Sequence, residues 1–258
     1  MQVGKSVIFC ATQRTGSTLI VDDFLNVVGH KRVISEILYH KTMGETGGPW
    51  SKTWDEVSKA NTVRGYFIGK VMFHYTPYIS RYIEHGSTAG PHHCLRFIPE
   101  LFDSFYNFFA DAIWVYIDRR NVFAQAVSMY LAESTQIWEK LIAGLRSRPP
   151  KPGVPADQVR YEYEKIKPYL TGFLAEREQW QLFFRHYKIT PIRISYEEAA
   201  QGYPQYLKEL LDKTELQAVE APRPRRMLKV GDQRNEEWAE FLRNDVIAEL
   251  YSRSHVVD

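Results

Sequence analysis

The stretch Val7-Ile8-Phe9-Cys10-Ala11-Thr12-Gln13-Arg14-Thr15-Gly16-Ser17-Thr18-Leu19-Ile20 decides how this chain reads. Val7 to Ala11 form a continuous apolar run with the length of a central parallel strand buried on both faces. A polar turn with one glycine follows. From Ser17 the apolar residues Leu19, Ile20, Phe24, Leu25, Val27 and Val28 recur at helical spacing, and Gly29 stands where a helix stop belongs. Strand, tight turn and helix N-terminus together make an anion cradle. The first N–H groups of a helix have no partner inside it, and the helix dipole favours negative charge there. A phosphate-bearing ligand is therefore expected at Arg14 to Thr18.

Working outward, the same alternation of strand and helix recurs. Tyr66 to Met72 reads as a second strand with a helix from Tyr78, and Ala112 to Ile117 as a third strand ended by Asp118-Arg119-Arg120-Asn121. The helix after it is capped by Asn121 or Asp118. Ile192 to Ser195 reads as a fourth strand, and Arg160 to Tyr187 has the pattern of a long helix. Further helices fall near Tyr206 to Lys213 and Asn235 to Tyr251, separated by the charged segment Arg223 to Arg234. His30 to Trp54 is polar and glycine-bearing and reads as a long loop with a short helical piece at Ser35 to Leu38. Arg146 to Pro155 holds four prolines and reads as a surface loop. This order predicts an α/β fold, a central parallel sheet flanked by helices, as a single domain over residues 1–258.

Bulk charge excludes one class of function. With 33 basic and 31 acidic residues the net charge is +2, too balanced for a nucleic-acid binder, so an anion site has to be local. Cys10 lies inside an apolar strand and Cys94 is far from it, which fits reduced thiols and a cytoplasmic protein rather than a disulfide framework. No cysteine or histidine spacing matches a metal site. No signal peptide or membrane-spanning run is expected from the N-terminal apolar stretch, which Gln13 and Arg14 interrupt.

A second anion grip is suggested by Arg119 or Arg120 at the end of a strand and Ser128 on the helix that follows. Ligands of parallel α/β sheets bind outside the carboxyl ends of the strands, and two phosphate grips there fit a nucleotide phosphorylated at both 5′ and 3′ positions. These stretches resemble the PAPS-dependent sulfotransferases, and within them the Stf0-type group. The matching segments are Thr12 to Leu19, Gly69-Lys70-Val71-Met72, Arg119 with Ala124-Gln125-Ala126-Val127-Ser128, Thr135 with Trp138, and Asp232-Gln233-Arg234 with Glu237-Trp238. They run in order over nearly the whole chain.

The resemblance implies a P-loop-like sulfotransferase fold, PAPS as co-substrate, PAP as product and no metal. It implies that Arg14, Thr15, Gly16, Ser17 and Thr18 hold the 5′-phosphosulfate, with Arg14 also stabilising the transferring sulfuryl group. Arg119 is the preferred holder of the 3′-phosphate with Ser128, Arg120 is kept beside it, and Lys229 and Arg234 close over the nucleotide. Glu36 is implied as general base; His74, read from its place after the Gly69 to Met72 strand near the active edge, is a rival base and, more often in such a position, a loop or packing histidine. Gln13, Glu36, Pro49 and Trp54 are implied around the acceptor, a hydroxyl of a carbohydrate, glycolipid or other small alcohol, and a homodimer is implied. The competing reading is a P-loop-like nucleotide kinase. Against it, the loop lacks the Lys-Ser or Lys-Thr ending that such enzymes use on phosphate and magnesium.

Overall fold

The computed structural model describes residues 4–30, 49–86, 96–138, 140–141, 152–219, 223–225, 227–228 and 233–254. In chain order the elements begin with β1 (Ser6–Ala11), α1 (Ser17–Val27), α2 (Trp50–Asn61), β2 (Thr62–Val63) and β3 (Tyr66–Met72). Next come α3 (Thr76–His85), α4 (Asp103–Phe108), β4 (Ile113–Asp118), α5 (Val122–Thr135), β5 (Lys140–Leu141) and α6 (Tyr163–His186). The last are β6 (Ile192–Ser195), α7 (Tyr196–Gln201), α8 (Lys208–Thr214), β7 (Met227–Leu228) and α9 (Gln233–Ser254). They sort into two compact units, Met1–Arg120 with Ala175–Arg223, and Asn121–Leu174 with Pro224–Asp258.

The first unit is built on a five-stranded sheet in the order β2-β3-β1-β4-β6. Strands β3, β1, β4 and β6 run parallel, and β2 joins the edge antiparallel. Every residue of β1 and β3 is buried, as expected of strands covered on both faces. Ala11 pairs with both Met72 and Ile117, and Asp118 pairs with Ser195. The turns after all four parallel strands therefore leave from one carboxyl edge.

Side-chain alternation gives the sheet two faces. Phe9 and its register partners Lys70 and Val115 look toward α1, whose Phe24 ring lies 5.8 Å from that of Phe9. Ile8 and Cys10, with partners Trp114 and Tyr116, look the other way. There the ring of Phe183 lies 5.6 Å from Trp114 and that of Phe184 5.6 Å from Tyr116, both on α6. Trp180 of α6 is fully buried, and its indole N–H donates to the carbonyl of Ala11 at 3.0 Å. The free thiol of Cys10 is buried in this sheet, and burial pushes its pKa well above the ordinary value, so it is an inert packing residue.

Several expectations hold to the residue and others need correction. Helix α1 ends at the expected glycine: Gly29 adopts φ +78, its N–H donates to Asn26 and that of His30 donates to Leu25, a Schellman closure. Helix α3 starts at Thr76 rather than Tyr78, because Pro77 falls in the first turn, where a missing N–H removes no helical bond. The segment up to Trp54 is not all loop. Helix α2 begins at Trp50, directly after Pro49, and buries Trp50, Trp54, Val57 and Asn61 along one stripe. The helical piece at Ser35 to Leu38 and residues 146–151 of the proline-bearing loop lie outside the described residues.

The second unit gathers α5, the start of α6 and α9 around Ala126, Val127, Ile166, Leu170, Trp238 and Leu242. Asn121 is the cap of α5, its side chain accepting from the Ala124 N–H at 2.9 Å. The charged segment Arg223 to Arg234 is more than a separator, since Met227–Leu228 pairs antiparallel with Lys140–Leu141. Among the described residues no helix is long and apolar enough to cross a membrane.

Tyrosine–carboxylate hydrogen bonds tie the helices of this unit together. Tyr161 donates to Asp245 at 2.5 Å, Tyr130 to Glu162 at 2.8 Å, and Tyr163 and Lys167 both donate to Glu249. Lys167 and then Tyr163 hold the Glu249 carboxyl below its ordinary 4.5, while burial and the bond to Glu249 push Tyr163 up to about 12. A carboxyl with a depressed folded pKa stabilises the fold above its unfolded pKa, and that stability is lost as pH falls through the lower folded value. Glu249→Gln is thus expected to be less stable than the parent at neutral pH and to converge with it at acid pH, once the carboxyl is protonated in the folded state as well. Urea unfolding at both pH values checks this, and an equal deficit at both would remove the carboxylate's role.

Candidate active site

The carboxyl edge of the first unit is organised by the turn Thr12–Gly16 between β1 and α1. Arg14 and Gly16 both take left-handed backbone, at φ +61 and +75. Glycine adopts this freely, but at an arginine it costs roughly 1–2 kcal/mol, so strain sits on Arg14. The buried Thr15 hydroxyl donates to the Thr12 carbonyl at 2.9 Å and closes the turn. Gly16 is also the N-cap of α1, and as glycine it brings no side chain of its own to the first amides of the helix. These donors are what an anion would meet.

Two cations reach this turn from neighbouring strands. Lys70 of β3 is buried on the α1 face of the sheet, and its ammonium donates to the Thr18 hydroxyl at 2.9 Å. Arg119, just past β4, sends Nη1 to the Arg14 carbonyl in a long contact of 3.4 Å. Its guanidinium also lies 4.7 Å from the centre of the Tyr196 ring. Burial pulls the Arg119 pKa down from its ordinary value, opposed by Tyr196 and Glu197, and its buried Nε–H has no hydrogen-bond partner among the described residues. Arg120 takes a different course. Its side chain is exposed and bonded to Glu198, and its backbone N–H donates to Glu197 at 3.0 Å. Of the two arginines kept from sequence, Arg119 faces the anion turn and Arg120 is occupied by α7.

Tyr196, the first residue of α7, is the part that sequence reading missed. A Cβ built on Gly16 would stand 2.5 Å from Tyr196 Cδ2, so the ring lies directly on the glycine. Its signal was modest: an aromatic residue immediately after a short strand that ends at the ligand edge. Lys70 had a clearer one, a lysine inside an otherwise apolar strand, which is rare without a partner.

Helix α6 braces the same edge from the other face. Glu176 meets His74 at 3.2 Å, Arg177 donates to the Arg119 carbonyl at 3.5 Å and pairs with Asp118 at 3.7 Å, and Trp180 holds Ala11. Burial pushes the Asp118 carboxyl up and Arg177 opposes it.

The remaining sequence candidates are distributed unevenly. Gln13 lies half-buried in the turn, and Pro49 is exposed at the start of α2. Trp54 is corrected from acceptor platform to core: it is 7% exposed, with ring centres of Phe67 at 4.7 Å, Phe108 at 4.9 Å and Phe109 at 5.8 Å. Those rings leave it no open face for a sugar. In the second unit Ser128 is buried on α5. There too, Arg234 at the start of α9 donates to the Ala156 carbonyl and lies 5.4 Å from the Trp238 ring centre. Glu36 and Lys229 lie outside the described residues. Among the described residues no group of three or more His, Cys, Asp or Glu could hold a metal ion.

The Gly16–Tyr196 contact makes a specific prediction. Gly16→Ala meets both a left-handed backbone and the Tyr196 ring, and should cost roughly 2–4 kcal/mol in urea unfolding. In a Tyr196→Ala background the same substitution should cost clearly less, because only the backbone penalty remains. Equal costs in the two backgrounds would dismiss the contact.

A family model described as Stf0 sulphotransferase matches residues 50–245. The chain is 24% identical over 266 aligned residues to trehalose 2-sulfotransferase of Mycolicibacterium smegmatis, covering 91% of this chain and 93% of that one. Among solved structures, the sulfotransferase domain from the curacin biosynthetic pathway matches with a TM-score of 0.45 and 13% identity, over 82% of this chain and 74% of that chain. With a family match over more than half its length and an anion turn at the carboxyl edge of a parallel sheet, this chain belongs to the Stf0 sulphotransferase family.

Proposed function

We propose that this protein transfers a sulfuryl group from PAPS to a hydroxyl of a carbohydrate or glycolipid and releases PAP. The observation that carries the reading is the anion turn itself: a helix start with glycine at its N-cap, a buried lysine on one side and a half-buried arginine on the other. The similarity to trehalose 2-sulfotransferase supports a sugar-type acceptor. Trehalose is the natural first probe.

Bound PAPS would supply a sulfuryl group on a good leaving phosphate, and the chain supplies position and charge. The amides and hydroxyls from Arg14 to Thr18 hold the 5′-phosphosulfate. Lys70 and Arg14 stand where negative charge grows as the sulfur–oxygen bond to the phosphate breaks, in a desolvated setting where such charges act strongly. Arg119, with a buried N–H left to donate, takes the 3′-phosphate. An acceptor hydroxyl has to lose its proton as it bonds to sulfur, and the family resemblance gives that proton to Glu36.

Losing a charge-assisted bond to phosphate costs about 1.5–3 kcal/mol, or roughly 10- to 100-fold in affinity. Arg119→Ala should therefore weaken PAP by that factor and leave AMP, which has no 3′-phosphate, nearly unchanged. Thermal-shift titrations with PAP, AMP and magnesium-ATP read this out. Equal weakening of PAP and AMP would take Arg119 out of the 3′ site, and a preference for magnesium-ATP would favour the kinase reading instead. Glu36→Gln should lower turnover by about 10²-fold or more with PAP affinity retained. Near-normal turnover would remove Glu36 as base.

A further inference from the structure

We propose that the first unit holds a second ligand site, a pocket at the amino edge of its sheet that takes a small aromatic carboxylate. The site is separate from the anion turn, and it stands whichever nucleotide that turn binds.

Place comes first. Ile113 and Ile192 are the first residues of β4 and β6, so they mark the sheet edge opposite the turns that gather at Gly16. Both line a pocket of about 320 Å³. That volume is at the lower end of small-molecule sites and suits one or two fused rings. The six residues of β4 span roughly 20 Å, which sets this pocket well apart from the anion turn.

Its wall is aromatic. Tyr106 from α4, Trp114 from β4 and Tyr187 at the end of α6 line it together. The Tyr106 and Tyr187 rings stack with centres 4.0 Å apart and planes at 15°, and Tyr106 lies at 23° to Trp114 with centres 6.5 Å apart. The Tyr187 hydroxyl donates to Asp103 at 2.7 Å, which fixes the ring further. A wall ordered in advance meets a flat guest at little entropic cost of its own. Trp114 adds a polar demand. It is 5% exposed, and its buried indole N–H has no acceptor among the described residues. A buried donor left unmade is costly, and an oxygen-bearing guest is the kind of group that relieves it.

The charge of the lining is one-sided. Lys188 and Lys213 belong to it, and no described residue of the lining is acidic. Lys213 pairs with Glu209 at 3.2 Å, whereas the exposed Lys188 ammonium makes no ion pair among the described residues. Lys188 also sits in left-handed backbone, at φ +54. It closes α6 in a Schellman pattern, with the Ile189 N–H donating to Phe184 and its own N–H to Arg185. Glycine usually takes that position, because left-handed backbone disfavours any side chain. A lysine there sets charge beside the pocket at a cost to the fold. An aromatic wall with a cation and no acid favours a ring bearing negative charge over a neutral or cationic one. A single unpaired ammonium matches a monoanion, and a carboxylate can lie coplanar with its ring against a flat wall.

The test is a ligand-observed NMR titration of the full chain with 2-naphthoate, with 2-naphthamide and acetate reporting ring and charge alone. The expected Kd for 2-naphthoate is about 0.1–1 mM. The amide should bind about fivefold more weakly, and acetate not detectably. Lys188→Gln should weaken 2-naphthoate about fivefold. Ala110 lines the pocket and is exposed, so Ala110→Trp should fill the space and abolish binding while melting as the parent does. If Ala110→Trp does not fold, Lys188→Gln and the amide decide. Saturating PAP should not displace 2-naphthoate. No binding by the parent, equal binding of acid and amide, parent-like affinity in Lys188→Gln, or displacement by PAP would each overturn the site. A parent that takes 2-naphthoate but not PAP would overturn the sulfotransferase reading and leave this site standing.

Discussion

The rest of the site depends on the ring of Tyr196 lying where a side chain at position 16 would have to be. That contact requires glycine, and glycine at the N-cap brings no capping side chain of its own to the first amides of α1. The same ring then gives Arg119 a flat seat from which its guanidinium touches the Arg14 carbonyl. One aromatic contact therefore joins the end of β6, the turn after β1 and the turn after β4. It can do so because the parallel strands end in register.

Electrostatics on this edge is arranged by burial rather than by number of charges. The chain is nearly neutral overall, yet the buried Lys70 and the half-buried Arg119 are both aimed at one turn. Exposed pairs such as Arg120 with Glu198 contribute little because water screens them. A cation held out of water retains its attraction for an anion such as phosphate. The left-handed Arg14 belongs to the same pattern. The fold would accept glycine there more readily, so an arginine at φ +61 points to a requirement for its side chain.

Sequence made some of this visible and hid the rest for physical reasons. Strands β1 and β4 read directly because buried parallel strands are short continuous apolar runs, and Gly29 reads as a stop because only a left-handed residue closes α1. Helix α2 was obscured by the glycines and polar residues before it, which made Trp54 look like a loop aromatic rather than part of an aromatic core. The two-residue strand β7 carries no period at all. Arg119 and Arg120 could not be told apart, since their difference lies in which way the chain turns after β4 and in Glu197 and Glu198, far along the sequence. Tyr196 and Glu176 act only through long-range contacts, with Gly16 and His74, that no local spacing encodes.

Helix α6 imposes a condition of phase. Glu176, Arg177 and Trp180 hold the ends of β3, β4 and β1, and they can do so together only because their rotation about one axis presents each to a different strand end. Each residue turns an α-helix by about 100°, so one residue added or lost between positions 176 and 180 would rotate Trp180 away from Ala11 while Glu176 stayed put. The helix would remain helical and most of its apolar surface would still find cover, yet the three strand ends would lose their common brace. Along this one turn, spacing is under a stricter constraint than residue type. Insertions and deletions there should be far less tolerated than conservative substitutions.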